Sequence, residues 1–123
     1  MTDEKQKKYL VLLRKAPYGS LYSFEGLQVI LIMASYELDT ALAFVDDGVY
    51  AITQNQNAKP MRMKQVSQTY PALPGLDMDR FYVHRESLEE RGLSPDDLVL
   101  EVEVIDSAGL AALIEDQDVI LPF

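Results

Sequence analysis

Cysteine is absent from the 123-residue chain, and histidine occurs once, at His84. The first absence excludes disulfides, iron–sulfur ligation and a cysteine nucleophile on this polypeptide. With one imidazole and no thiol, a transition-metal centre of the usual His/Cys kind has no ligand set, so no metal site is expected. Positive charge is scarce: 11 Lys and Arg face 20 Asp and Glu, for a formal net charge of −9. Such a chain repels a phosphate backbone, which argues against direct nucleic-acid binding. Long apolar runs are missing as well. The longest, Val29 to Ala34, falls far short of the roughly 20 residues that span a bilayer, and the charged N-terminus leads into no signal-like apolar segment. No membrane association is expected, and the default compartment is the cytoplasm. Closely spaced glycines are lacking too: the loop from Ala16 to Ser23 holds Gly19 alone, so it carries neither a dinucleotide fingerprint nor a P-loop.

What is present is a chain 48% hydrophobic, enough for one core and too short for two ordinary domains, so residues 1–123 read as a single domain. Strand-like apolar runs fall at Tyr9–Leu13, Thr40–Val45, Arg80–Val83, Leu98–Ile105 and Val119–Leu121. Helices are predicted between them. Ser23 is placed as the cap of a helix reaching about Glu37, and a short helix from Arg85 to Arg91 stops at Gly92. Ser107 opens the last helix, whose buried stripe is Leu110, Leu113 and Ile114. A short helix or turn is expected at Val49–Ile52. Another helical segment around Met63–Tyr70 is broken by Pro71, Pro74 and Gly75, with 53–62 and 70–79 as loop candidates. The first helix is apolar on more than one side: Phe24, Leu27, Leu31, Ala34 and Leu38 form one stripe, and Val29, Ile32, Met33 and Tyr36 cover much of the rest. Such a helix needs more than one partner surface, either deep burial or a subunit interface. Five strands alternating with helices predict an α/β fold, a three-layer α/β/α sandwich on a five-stranded parallel sheet. Glu101 and Glu103 on one face of the fourth strand suit a sheet edge partly open to water.

Ligands of such sheets sit beyond the carboxyl ends of the strands, which directs attention to the segments after each strand. Gly19, Ser20 and Ser23 offer N–H and hydroxyl groups to an anion or a flavin phosphate, or form an ordinary turn and cap. Asp46–Asp47 either contributes to a cation site or makes an acidic turn before Gly48. His84, at a strand–helix junction beside Arg85, is accessible to a ligand or partner. General-base work needs a positioned partner, and the sequence shows no Ser/His/Asp order of a known hydrolase. No catalytic residue and no cofactor is therefore assigned.

The succession Ala16-Pro17-Tyr18-Gly19, Glu25-Gly26-Leu27, Phe44-Val45-Asp46-Asp47-Gly48-Val49-Tyr50, Ser87-Leu88-Glu89-Glu90-Arg91-Gly92-Leu93 and Asp118-Val119-Ile120-Leu121-Pro122-Phe123 resembles the DsrE/DsrF-like family, in particular its DsrF/TusC subunit type. The resemblance covers almost the whole chain. It implies a cytoplasmic heterohexamer with two copies each of DsrE/TusD-type, DsrF/TusC-type and DsrH/TusB-type subunits. In such an assembly a cysteine of the DsrE/TusD-type subunit carries persulfide sulfur and passes it to a DsrC/TusE-type acceptor. In thiol-bearing relatives that cysteine follows the third strand, the region resembling Val83-His84-Arg85-Glu86. Imidazole cannot carry transferable sulfur, so the resemblance implies a noncatalytic structural subunit of oxidative sulfur metabolism. The alternatives are a TusC-like role in the relay to tRNA 2-thiouridine, a small-anion or nucleotide-binding α/β enzyme, and a homo-oligomeric binding module.

Overall fold

The computed structural model describes residues 7–15, 22–53, 70–76, 78 and 80–123, with the side chains of residues 22–24 outside the description. Its centre is a five-stranded sheet in the order β4-β3-β2-β1-β5. The strands are β1 (Lys8–Leu13), β2 (Asp39–Phe44), β3 (Phe81–His84), β4 (Glu103–Ile105) and β5 (Val119–Pro122). Every neighbouring pair runs parallel. The helices are α1 (Tyr22–Ser35), α2 (Arg85–Glu90) and α3 (Ser107–Glu115), with 3-10 segments at Asp46–Ile52, Tyr70–Leu76 and Pro95–Asp97. Among the described residues no helix is long and apolar enough to cross a membrane.

Register sorts the side chains into rows across the sheet, because partners in a parallel pair share a face. One row runs Leu121, Val11, Leu42, Phe81, and another Leu13, Phe44, Val83, Val104. These rows carry the larger core, which α1 closes with Leu27, Ile30 and Met33, and α2 with Leu88. The opposite face presents Leu10 with Ala41 and Ile120, and Leu12 with Ala43, Tyr82 and Glu103. There α3 lays Leu110, Leu113 and Ile114 over Leu10, Ala41 and Ala43. Two alanines at the sheet centre leave room for the helix to approach closely. This face is thinly covered, since no residue of α3 is fully buried.

Several elements depart from the sequence reading. Helix α1 starts at Tyr22, so Ser23 lies inside its first turn rather than capping it. Its buried stripe is Leu27, Ile30 and Met33, while Ile32 and Tyr36 are exposed at 56% and 74%. Spacing alone admitted several overlapping stripes on so apolar a helix, and packing against the sheet selected one. The helix ends when Glu37 turns left-handed (φ 56°), with Leu38 N–H donating to Met33 O at 3.1 Å and Glu37 N–H to Ala34 O at 3.0 Å. The same closure, a Schellman motif, ends α2 around Gly92 (φ 67°), with Leu93 N–H on Leu88 O and Gly92 N–H on Glu89 O.

The segment holding Pro71, Pro74 and Gly75 is no break: it is a 3-10 helix that buries Tyr70 and Leu73. Three-residue periodicity stacks those two side chains on one side, where Tyr70 meets Phe44 edge-on at 5.5 Å between ring centroids. The rest of the helix expected around Met63–Tyr70, and loop residues 54–62, lie outside the described residues. The fourth strand is three residues long instead of eight. Leu98 bridges antiparallel to Thr53 and Val99 N–H donates to Ile52 O at 2.7 Å, so residues 98–100 pack on the 3-10 segment rather than pairing with β3. The edge position expected from Glu101 and Glu103 holds, as both residues are exposed beside a terminal strand.

Candidate functional site

Strands β1 to β4 step across the sheet in one direction, with α1 and α2 on the face of the larger core; after β4 the chain returns over the other face through α3 to β5. The connections that follow β3 and β4 therefore leave the sheet on opposite sides. A sheet opens a crevice at such a reversal, beyond the carboxyl ends of the two strands. His84 ends β3 there, and Ser107 opens α3 one residue beyond the turn after β4.

His84 fills that crevice. It flanks α2 with extended backbone (φ −79°, ψ 121°), which aims its ring between the two chain segments, and only 15% of the side chain remains exposed. Nδ1 stands 2.7 Å from Ser87 Oγ and Nε2 2.9 Å from Ser107 Oγ. Glu86 Oε1, itself enclosed, stands 3.3 Å from Nε2 without hydrogen-bond alignment. Ser87 is buried, and its hydroxyl oxygen accepts the N–H of Asp46 at 2.8 Å. Asp46 follows β2 in the left-handed region (φ 50°). One side-chain chain thus ties the ends of three strands, β2 through Asp46, β3 through His84 and β4 through Ser107.

Both neutral tautomers give the ring nitrogens protein partners. If the Ser87 hydroxyl donates to Nδ1, Nε2–H donates to Ser107; if Nδ1–H donates, Ser87 accepts it with its second lone pair. Either way both ring nitrogens have protein partners, and the arrangement works as a clamp.

Beside it, Arg91 closes the turn after α2. Its Nε and Nη2 donate to Asp47 Oδ1 at 3.1 and 3.0 Å, and Nη1 donates to Ser87 O at 3.1 Å. Burial pulls the Arg91 pKa down, but the hydrogen bond and charge of Asp47 outweigh it, so the guanidinium is held above its ordinary value. Asp47 thus belongs to an ion pair. Gly48 is required by a close approach: a Cβ there would sit 1.9 Å from Leu13 O, where the 3-10 segment crosses the end of β1.

Of the five candidate contact residues, His84 and Arg85 are adjacent here, with Arg85 turned outward, 52% exposed and 4.0 Å from Glu86. Ser23 is placed by its backbone in α1, and Gly19 and Ser20 lie outside the described residues. Sequence reasoning did not assign Ser87 and Ser107 as the partners of His84. The three-residue step from His84 to Ser87 was visible; Ser107, 23 residues away, required the β3–β4 pairing. A separate open cleft of about 730 Å3 lies between Arg80–Tyr82 and residues 98–103, toward the start of β3, and contains none of the five.

Comparison with known proteins is consistent with this architecture. The DsrE/DsrF-like family matches over residues 7–123. The intracellular sulfur oxidation protein DsrF of Allochromatium vinosum is 43% identical, over 98% of this chain and 99% of its own. A TusC homolog of Pseudomonas aeruginosa is 30% identical over 91% of this chain and 94% of its own. Among solved structures, the E. coli ychN protein superposes with a TM-score of 0.76 over 95% of this chain and 99% of its own; at 22% identity it speaks for the fold.

Proposed function

We propose, from the premise that the chain belongs to the DsrE/DsrF-like family, that it is a noncatalytic structural subunit of a cytoplasmic sulfur-relay assembly. The observation that carries this reading is a chain 43% identical to a sulfur oxidation protein along nearly its whole length, yet without cysteine. No thiol here can attack or release a sulfane sulfur, so sulfur must be held by another subunit. What this chain contributes is surface. Ile32 on α1 and Tyr36, the first residue past its end, lie one helical turn apart and are exposed, as is Leu76 of the neighbouring 3-10 segment, a setting suited to a subunit interface.

The partners in this reading are thiol-bearing DsrE/TusD-type and smaller DsrH/TusB-type subunits in a two-two-two assembly, with a DsrC/TusE-type protein as acceptor. Greater identity to DsrF than to the TusC homolog favours oxidative sulfur metabolism over tRNA 2-thiouridine formation. A small-anion or nucleotide site is disfavoured at His84, where Glu86 brings negative charge and both ring nitrogens are engaged.

Co-expression with subunits of the two related types, followed by native mass spectrometry, is expected to yield a mixed complex. A second arm offers labelled persulfide to the purified chain and to the complex, with label expected on the thiol-bearing subunit alone. A monomer or homo-oligomer that ignores the other subunits, or stoichiometric covalent label on this chain, overturns the proposal.

A further inference from the structure

The cleft at the start of β3 is independent of the sulfur-relay reading. Residues 98–102 diverge from β3: pairing with β4 begins only at Tyr82 with Glu103, so among the described residues the flank of β3 at Arg80 and Phe81 has no strand partner on that side. The floor is apolar, since Phe81, Leu98 and Leu100 are buried in the larger core. The rim is acidic, with Asp96, Glu101 and Glu103 exposed. The one cation among the described lining residues, Arg80, is ion-paired with Asp39. Leu100 is 8% exposed, yet among the described residues neither it nor Glu101 has a backbone hydrogen bond to the protein.

Main-chain groups of Leu100 and Glu101 without protein partners can pair with main-chain groups from elsewhere, and extended peptides supply them along an open strand flank. Carboxylates at the rim select positive charge, reinforced by the net charge of −9 on the whole chain. The volume, about 730 Å3, lies within the range of formed ligand sites. We infer that this cleft is a docking groove for an extended, lysine- or arginine-bearing segment of a protein partner. The segment's backbone bonds to Leu100 and Glu101, its apolar side chains cover the floor, and its cations meet Glu101 and Glu103.

The probe is a capped hexapeptide of alternating Lys and Val, titrated into the isotope-labelled chain and followed by amide chemical shifts. Three controls accompany it: the Glu/Val analogue, the Lys/Val peptide with alternate backbone nitrogens methylated, and spermine. The expected result is saturable binding of the Lys/Val peptide below about 1 mM, with shifts concentrated at residues 80–82 and 98–103. Methylation is expected to weaken it about tenfold or more, as is the E101K/E103K pair, whose exposed positions leave the circular-dichroism spectrum unchanged. Equal binding of the methylated peptide or of spermine would reduce the groove to a charge effect. That outcome, shifts centred elsewhere, undiminished binding to E101K/E103K or no saturable binding overturns the inference.

Discussion

At His84 both ring nitrogens are occupied by serine hydroxyls from different segments, so the side chain matters by what it holds together. Replacing it with alanine leaves the buried Ser87 hydroxyl with the Asp46 N–H but without its ring partner, and removes the Ser107 contact at the start of α3. H84A is expected to lose about 1–3 kcal/mol of stability, read by urea denaturation, while labelled-sulfur transfer through an assembled complex persists. Gly48 tests a harder constraint. Its missing Cβ is all that separates the turn from Leu13 O, and because the obstacle is backbone, no rotamer change relieves it. G48A is expected to cost about 3 kcal/mol or more, or to prevent folding, seen as a lost thermal transition. The Arg91–Asp47 pair behaves differently. A cation whose folded pKa is raised gives stability that is present at lower pH and lost only as pH climbs through that raised value, so Arg91 adds no pH dependence near neutrality. At this scale the sequence marked positions more readily than partners. His84 stood out by being unique and Asp46–Asp47 by adjacency, but Ser107 and Arg91 were assigned their partners only by tertiary pairing.

The two Schellman closures form a natural experiment in element endings. Gly92 occupies the left-handed position of one and Glu37 that of the other. A side chain in that region costs about 1–2 kcal/mol, partly offset by the greater chain entropy glycine loses on folding. E37G is therefore expected to stabilise the fold by about 0.5–1 kcal/mol and G92A to destabilise it by a similar amount, both measured as shifts in denaturation midpoint at constant slope. Gly92 was legible because glycine after a helix is a local signal. The end of α1 was not, because glutamate gives no such sign. Elements whose pattern is spent locally, such as β1 and α3, emerged close to their observed bounds. Residues 98–102 did not, because their alternating apolar side chains fit a strand and a packed connection equally well, and only the bonds to Ile52 and Thr53 separate the two.

On the whole molecule, the parallel sheet followed from the alternation of strands and helices, whereas strand order and the unequal covering of the two faces did not, since no local pattern encodes which strands become neighbours. The outer surface of α1 provides the test of the proposed assembly. Ile32 and Tyr36 are exposed in the single chain, so I32D/Y36D is expected to change its stability by no more than about 0.5 kcal/mol. The same pair is expected to abolish the mixed complex in size-exclusion chromatography. Loss of the isolated fold, or an intact complex, contradicts that assignment.

Strand β5 joins β1 across 110 residues, the separation between Lys8 and Asp118. On a translating ribosome, at about 5–20 residues per second, β1 waits roughly 5–20 s for its last neighbour. Through that interval an apolar strand is bare along one flank, and a premature stop before residue 119 would leave it bare permanently, offering an adhesive edge to any nascent chain nearby.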